Sequence, residues 1–387
     1  MRILTVVGTR PQLIKAAAVQ PALRAVHEEI FVDTGQHYDD DMAGNFIGEL
    51  GLARPDHVLG IGGGGHAEQI GRMLIELGPI VERVQPDVVM VYGDTNSTLA
   101  GALTGAKAGI AIAHVEAGLR SFDRSMPEEL NRVVVDHLST WLFAPNAVAV
   151  RNLKAEGITR GVFRVGDVLE DLFARTINNL DLPAVNAELS KRAGLEQSTI
   201  EQGNYLLATV HRASNRDPAT LAQLCTLFSE LARPDRPVIF PAHPGTISAI
   251  ASAGLTLGQN VRVIRPVGYR MILALILQAR AVLTDSGGIQ RESMWLATPC
   301  LILRKTTEWA NWHNRLPDSA MLVGGDPAST NEQLDVLAPQ RLTTKRLRRR
   351  LSRLPLEVPG AAMAVVSTLP LGVQAVSYTH LTLPTKA

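Results

Sequence analysis

Cysteine is scarce: Cys225 and Cys300 are the only two in 387 residues, both lie in apolar surroundings, and no CxxC spacing occurs. A disulfide framework or a zinc site is therefore not expected, and the composition reads as that of a reducing, cytoplasmic compartment. An excess of either charge is also missing, with Lys plus Arg at 38 against Asp plus Glu at 37, which removes the electrostatic footprint of a nucleic-acid binder. Any anionic partner is small. No apolar run reaches the ~18 residues needed to span a bilayer, and the opening MRILTVVGTR has a strand-and-turn layout rather than that of a signal peptide, so no membrane association is expected. The turn after the first strand reads GTRPQLIK rather than GxGxxG, and no His/Cys cluster occurs, so neither a nicotinamide cofactor nor a metal is expected.

What is present is alternation. Short apolar runs at Ile3 to Val7, Ile30 to Asp33 and Val88 to Tyr92 are interleaved with amphipathic stretches at Pro11 to Val26, Asp39 to Leu50 and Ser97 to Ala106. Continuous Val/Ile/Leu runs separated by helices predict a parallel sheet covered on both faces. The pattern restarts with Tyr205 to Val210, Val238 to Pro241, Val261 to Ile264, Ala281 to Thr284 and Cys300 to Leu303. The fold class is thus α/β, with two doubly wound domains facing a central cleft and ligands at the carboxyl ends of the strands. We place the first domain at residues 1–167, the second at 168–357, a C-terminal segment packing back on the first domain at 358–375, and a tail of non-native character at 376–387. Two further stretches have simple structural explanations. Gly62 to Gly65 lacks the GxxxxGK[ST] order and is read as a loop, and KRLRRRLSR (345–353) carries leucines at helical spacing and is read as a solvated helix face.

Three strand ends carry chemistry. GTRPQLIK (8–15) places Arg10 and Lys15 around a strand-to-helix turn, with Pro11 suited to the first helical position. LTDSGGIQRES (283–293) places Ser286, Gly287 and Gly288 at a second such turn, where free helix amides and the helix dipole attract phosphate, and Glu292 one turn later can grip ribose hydroxyls. HVEAGLRSFDRSMPEELNR (114–132) is dense in carboxylates and guanidinium groups. Candidate acid and base groups are Asp94, Glu116 and Glu128, joined by His211 and Arg212 after a strand of the second domain.

Together with TGQHYDD, VYGDTNSTLAGAL, TVHRASN, FPAHPGT and TTEW, these blocks make the chain resemble the non-hydrolysing UDP-N-acetylglucosamine 2-epimerases, a family with two Rossmann-like domains in the glycosyltransferase-B-like arrangement. The resemblance implies catalytic roles for Asp94, Glu116, Glu128 and His211. It implies substrate binding by Arg10, Lys15, Gln36, His37, Arg212, Asn215, His243, Ser286, Gly287, Gly288, Glu292 and Glu308, with Glu292 on the ribose. It further implies a UDP-sugar as partner, a homodimer, no cofactor and no metal. Departures from the family pattern are Gln12 in TRPQ, Tyr38 after QH, Gly245 in PAHPG, Arg291 in QRE and Trp309 in TEW. The polar helix used by many bacterial members to bind a second UDP-sugar reads YDDDM here, so activation by a second substrate molecule is not expected. TRPQ, GQHYDD, LGIGGGGH and GLRSFDR also resemble the branch acting on UDP-2,3-diacetamido-2,3-dideoxyglucuronate. The implied reaction interconverts UDP-N-acetylglucosamine and UDP-N-acetylmannosamine by elimination and readdition of UDP through a 2-acetamidoglucal. The competing readings are that diacetamido-glucuronate epimerase, a UDP-sugar glycosyltransferase, a hydrolysing epimerase and a non-catalytic UDP-sugar-binding regulator. Three carboxylates and no evident acceptor-binding insertion favour an epimerase over the glycosyltransferase, and the presence of Asp94, Glu116 and Glu128 counts against the regulator.

Overall fold

A computed structural model describes residues 1–36, 47–210, 217–304, 307, 320–324, 327–337 and 360–370. The chain forms two compact units, one of Met1–Leu172 together with the segment from Pro359, the other of Phe173–Val358. The first unit contains strands β1 (Arg2–Val7), β2 (Glu28–Asp33), β3 (His57–Val58), β4 (Val88–Tyr92), β5 (Ala111–Val115), β6 (Trp141–Ala144) and β7 (Val162–Arg164). They form one parallel sheet in the order β3-β2-β1-β4-β5-β6-β7. Its helices are α1 (Arg10–Val26), α2 (His66–Val84), α3 (Asn96–Lys107), α4 (Pro127–Leu138) and α5 (Ala147–Ala155). Helix α6 (Val168–Asn178) spans the division between the units.

The second unit repeats the plan. Strands β8 (Leu206–Thr209), β9 (Val238–Pro241), β10 (Val261–Ile264), β11 (Ala281–Thr284), β12 (Cys300–Ile302) and β13 (Ala320–Leu322) form a parallel sheet in the order β10-β9-β8-β11-β12-β13. Its helices are α7 (Leu182–Ala193), α8 (Gln197–Glu201), α9 (Pro218–Leu231), α10 (Pro244–Ser252), α11 (Tyr269–Gln278), α12 (Gly287–Trp295) and α13 (Pro327–Leu337). Helix α14 (Ala361–Thr368) belongs to the first unit and packs on α1.

Burial explains the strand sequences. All five residues of β4, VVMVY, are buried, as they must be when helices cover both sheet faces. Val89 and Val91 join Leu4, Val6, Met73, Leu77 and Ala100 in one cluster, each fully buried aliphatic side chain contributing ~1.5–3 kcal/mol. Helix α3 comes close enough to the sheet that a Cβ on Gly101 would lie 3.0 Å from Val91 and 3.1 Å from Val6. In the second unit, Cys225 lies in a cluster with Phe228, Phe240 and Leu283. Both cysteines are free and buried, and burial pushes the Cys300 thiol up to about 12. No helix among the described residues is long and apolar enough to cross a membrane.

The strand sets expected from sequence are present, as is β5 ahead of the 114–132 block, with four additions: β3, β6, β7 and β13, each two to four residues long. Most of the helix expected at Asp39 to Leu50, the YDDDM segment, the basic run 345–353 and the tail 376–387 lie outside the described residues.

Candidate active site

In a doubly wound sheet, ligands bind where the strand order reverses, because neighbouring strand ends there diverge to opposite sides. In the first unit that point lies between β1 and β4. After β1 the chain turns at Gly8 and Thr9 into α1, with Thr9 as N-cap and Gln12 as its reciprocal partner. Helix α1 therefore starts at Arg10, and Pro11 stands second rather than first. The Gln12 Oε1 accepts from the Gly8 amide at 2.9 Å and the Thr9 amide at 3.1 Å, while its Nε2 donates to the Tyr92 carbonyl at 2.8 Å and to Thr98 Oγ1 at 2.9 Å. These amides are thus satisfied within the protein and are not offered to a phosphate. Gly8 is required by packing, since a Cβ there would lie 1.9 Å from Thr34 Oγ1 and 2.2 Å from Ser97 Oγ. Arg10 is half-buried at the first helical residue.

The next two strand ends bring the carboxylates in. Strand β4 ends in Gly93, whose φ of 65° starts the turn to Asp94, and β5 ends next to Glu116, which adopts φ 75° although it is not glycine. That conformation costs on the order of 1–3 kcal/mol. It is held because the amides of Glu116 and Ala117 both donate to the Phe143 carbonyl at 3.1 Å. Lys15, on the second turn of α1, ion-pairs with Glu116, and both side chains are at least nine-tenths buried. A Cβ on Gly93 would lie 3.0 Å from the Lys15 Nζ, so glycine leaves room for that ammonium. Asp94 ion-pairs with Arg132, and its carbonyl accepts from Asn131 Nδ2 at 2.9 Å.

Helix α4 separates two adjacent glutamates. Glu129 is buried and accepts from the Ser121 amide at 2.8 Å, the Phe122 amide at 3.0 Å and Arg132 at 3.0 Å, which makes it the clamp of the 121–126 loop. Glu128 is half-buried in the first turn of α4 and makes no side-chain hydrogen bond or ion pair among the described residues. Below these carboxylates lies a buried charge network. His114 bridges Asp136 and the Gly93 carbonyl, both at 2.7 Å. Asp136 also accepts from the Gly118 amide at 3.0 Å and pairs with Arg120 at 2.7 Å, and Arg120 in turn grips Glu156 with two 2.7 Å bonds. Burial acts to raise the Asp136 pKa, but His114 and Arg120 outweigh it and hold the carboxyl below the usual carboxylate range.

Gln36, half-buried, accepts from the Ser97 amide at 3.0 Å and from Ser97 Oγ at 2.7 Å, so its carbonyl oxygen supports the start of α3. The first turn of α2 reaches the same region: His66 bonds Asn96, and Asn96 Nδ2 donates to Gln69 at 2.7 Å.

In the second unit the order reverses between β8 and β11. The hydroxyls of Thr209 and Thr284, on these two strands, lie 2.6 Å apart, and the Ser286 amide donates to Thr284 Oγ1 at 3.0 Å. Ser286 caps α12, its Oγ accepting from the Ile289 amide at 3.4 Å. The amides of Gly287 and Gly288 are the first two of the helix, where no intrahelical acceptor exists, and they have none among the described residues. Among the described residues a Cβ on Gly288 would meet only Ser286 Oγ, at 3.8 Å. Glu292 is buried one turn further on. His243 caps α10, its Nδ1 accepting from the Gly245 amide at 3.1 Å. His37, His211, Arg212, Asn215 and Glu308 lie outside the described residues.

Sequence reasoning did not select Arg132, Asn131, His114 or Asp136. For Arg132 a signal was present, since its i,i+3 spacing from Glu129 on a helix brings the two side chains together. Among the described residues no group of three His, Cys, Asp or Glu side chains gathers as a metal ion would require.

The profile of the UDP-N-acetylglucosamine 2-epimerase family matches residues 22–368. A UDP-N-acetylglucosamine 2-epimerase homolog of Methanococcus maripaludis is 44% identical over 344 residues, 88% of this chain and 93% of that protein. The UDP-2,3-diacetamido-2,3-dideoxy-D-glucuronate 2-epimerase of Pseudomonas aeruginosa is 43% identical over 317 residues, 80% of this chain and 85% of its own length. Among solved structures, the Methanocaldococcus jannaschii UDP-GlcNAc 2-epimerase in complex with UDP-GlcNAc and UDP superposes with a TM-score of 0.77 at 35% identity, covering 91% of this chain and 99% of the other. The Neisseria meningitidis UDP-GlcNAc 2-epimerase bound to UDP-GlcNAc gives a TM-score of 0.82 at 27% identity, covering 95% and 99%. With the two parallel sheets, the paired carboxylates and the capped helix start already in place, this chain belongs to the UDP-N-acetylglucosamine 2-epimerase family of UDP-sugar isomerases.

Proposed function

We propose that this protein interconverts UDP-N-acetylglucosamine and UDP-N-acetylmannosamine by eliminating UDP and adding it back. The observation that carries the reading is the trio of carboxylates in the first unit. Asp94 and Glu116 each stand at a strand end opposite a buried cation, and Glu128 stands at a helix start with no cation among the described residues.

The C2 hydrogen of such a sugar is not next to a carbonyl, so a carboxylate cannot remove it near neutral pH while the leaving group is in place. Breaking the C1–O bond sends its electron pair to UDP and leaves an oxocarbenium-like centre, which makes the C2 hydrogen acidic. Glu128 has oxygens free to take that proton, and a C1–C2 double bond forms. Return of a proton from the opposite face needs a second carboxyl group, which we assign to Asp94 or Glu116. UDP oxygen then re-forms the C1 bond.

Stabilising the departing diphosphate falls to the start of α12, with its two open amides and helix dipole, aided by Arg10. Because Gln12 occupies the amides of Gly8 and Thr9, the first turn contributes its Arg10 side chain and not its backbone. Lys15, paired with Glu116, serves the carboxylate in this reading. Glu292 receives the ribose hydroxyls, and His211 assists the diphosphate.

A second reading keeps the chemistry and changes the sugar, to UDP-2,3-diacetamido-2,3-dideoxyglucuronate, and is favoured by the 43% identity to the Pseudomonas enzyme. One experiment addresses both. Each UDP-sugar is incubated with the enzyme in deuterated water and followed by proton NMR. The proposal expects deuterium at C2 of both epimers with the C1 hydrogen retained. Epimer formed without deuterium at C2 removes the elimination route, and turnover of the diacetamido sugar alone selects the second reading.

A further inference from the structure

The first unit contains a fully buried histidine that no step above uses. His114 is the fourth residue of β5, and its two ring nitrogens meet Asp136 Oδ1 and the Gly93 carbonyl, each at 2.7 Å. A carbonyl oxygen only accepts, so Nε2 carries a hydrogen. Asp136 already accepts from the Gly118 amide at 3.0 Å and from Arg120 at 2.7 Å, as an ionised carboxylate does, so Nδ1 donates as well. His114 therefore donates at both ends.

Both ends lead to reacting groups. The Gly93 carbonyl belongs to the peptide unit that joins Gly93 to Asp94, and Gly118 lies two residues past Glu116. Both turns run through left-handed backbone, at Gly93 with φ 65°, Glu116 with φ 75° and Gly118 with φ 80°. The second turn is wedged as well: a Cβ on Gly118 would lie 2.5 Å from the Ala149 carbonyl oxygen. Backbone in this region relaxes unless its surroundings over-determine it.

We infer that His114 and Asp136 are positioning residues, a single buried imidazole–carboxylate strut that sets the Asp94 turn at one end and the Glu116 turn at the other, so that the two carboxylates keep a fixed spacing for proton transfer. The inference rests on the elimination reading above. Glu156 completes the charge balance behind the strut and touches neither turn, reaching it only through Arg120, which also donates to the Leu119 carbonyl at 2.7 Å.

The test compares H114Q, D136N and E156Q. Glutamine carries both its N–H groups on one nitrogen and cannot donate at both ends, whereas E156Q loosens the same network away from the turns. In H114Q and D136N, deuterium incorporation at C2 should fall on the order of a hundredfold, the loss expected when a reacting group is displaced by ~1 Å. KM for the UDP-sugar and affinity for UDP should stay within about twofold, since neither group is placed on the substrate. Amide hydrogen exchange should quicken at residues 93–95 and 116–118 in both variants while the other β-strands keep their protection. E156Q should lower the melting temperature and leave turnover per folded molecule unchanged. The inference is overturned if H114Q keeps wild-type exchange at both turns, or if E156Q loses as much turnover as H114Q. Should the wild type epimerise no UDP-sugar while the exchange pattern behaves as described, the catalytic reading fails and the strut stands. Where H114Q does not fold, D136N carries the same readouts.

Discussion

At its point of strand reversal the first unit presents carboxylates already matched to buried cations, Asp94 to Arg132 and Glu116 to Lys15, whereas the second presents a helix start whose first two amides have no acceptor among the described residues. One sheet plan therefore supports two kinds of electrostatic preorganisation. Two of the three carboxylates we assign to proton transfer are held by partners of opposite sign, which fixes their position and keeps a buried charge from standing alone, while Glu128 is left open. A group that binds a charged ligand is left open, so that the ligand supplies the missing charge. The same contrast appears within α4, where Glu129 is spent on the backbone of its own loop and Glu128 is not.

The comparison predicts where kcat and KM separate. The largest effect is expected for Asp94→Asn and Glu128→Gln, which preserve shape and remove the titratable group: turnover should fall about a hundredfold or more, with UDP affinity unchanged in a binding titration. Loss of UDP affinity with intact turnover would dissolve the division between the units. Next comes Glu292→Gln, for which a lost charge-assisted bond of about 1.5–3 kcal/mol corresponds to roughly a ten- to hundredfold rise in KM with little change in kcat. A collapsed kcat with an unchanged KM would move Glu292 into the chemistry.

Smaller still is Ser286→Ala. Removing an N-cap costs ~1 kcal/mol of stability, measurable by denaturant unfolding, and KM should rise with it because the helix start is less well set. The smallest effect is a slope with pH. Burial, and after it the amino-terminal charge, lower the pKa of His27 in the folded state below its ordinary 6.5. The unfolded chain therefore binds the proton more readily, so stability is full above about pH 6.5 and declines as pH falls through the depressed folded value. Hydrogen exchange should show this acid loss in the first unit, and His27→Leu should flatten it. An equal acid slope in the leucine variant would assign the effect elsewhere.

Legibility from sequence followed the length scale of each signal. Strand β4 could be read because five consecutive apolar residues have no amphipathic alternative, while β3 (HV) and β7 (VFR) hold only two or three residues and a polar side chain each. The start of α12 could be read because Ser, Gly and Gly before a helix have few other uses. Roles within PEELNR could not: two neighbouring glutamates differ by the ~100° of helix rotation between successive residues, and only the position of the 121–126 loop decides which one is clamped. TRPQ was legible as a turn but not as a self-satisfied one, since the Tyr92 and Thr98 partners of Gln12 lie 80 and 86 residues away in the chain. His114 was hidden for the same reason.

Gly360 is the N-cap of helix α14, and the amides of Gly360, Ala361 and Ala362 donate to the buried carboxylate of Asp171 at 3.1, 3.2 and 2.7 Å. The donor and acceptor sides of this clasp are separated along the chain by almost all of the second unit. During synthesis Asp171 leaves the ribosome first and waits through the intervening residues, roughly 10 to 40 s at ~5–20 residues per second. Through that interval the nascent first unit holds a carboxylate whose amide donors do not yet exist, and the face of α1 that α14 will cover is bare. Completion of the first unit is thus tied to synthesis of a segment that lies beyond the second, and a chain interrupted before residue 360 leaves behind an unfinished first unit rather than a finished one lacking a neighbour.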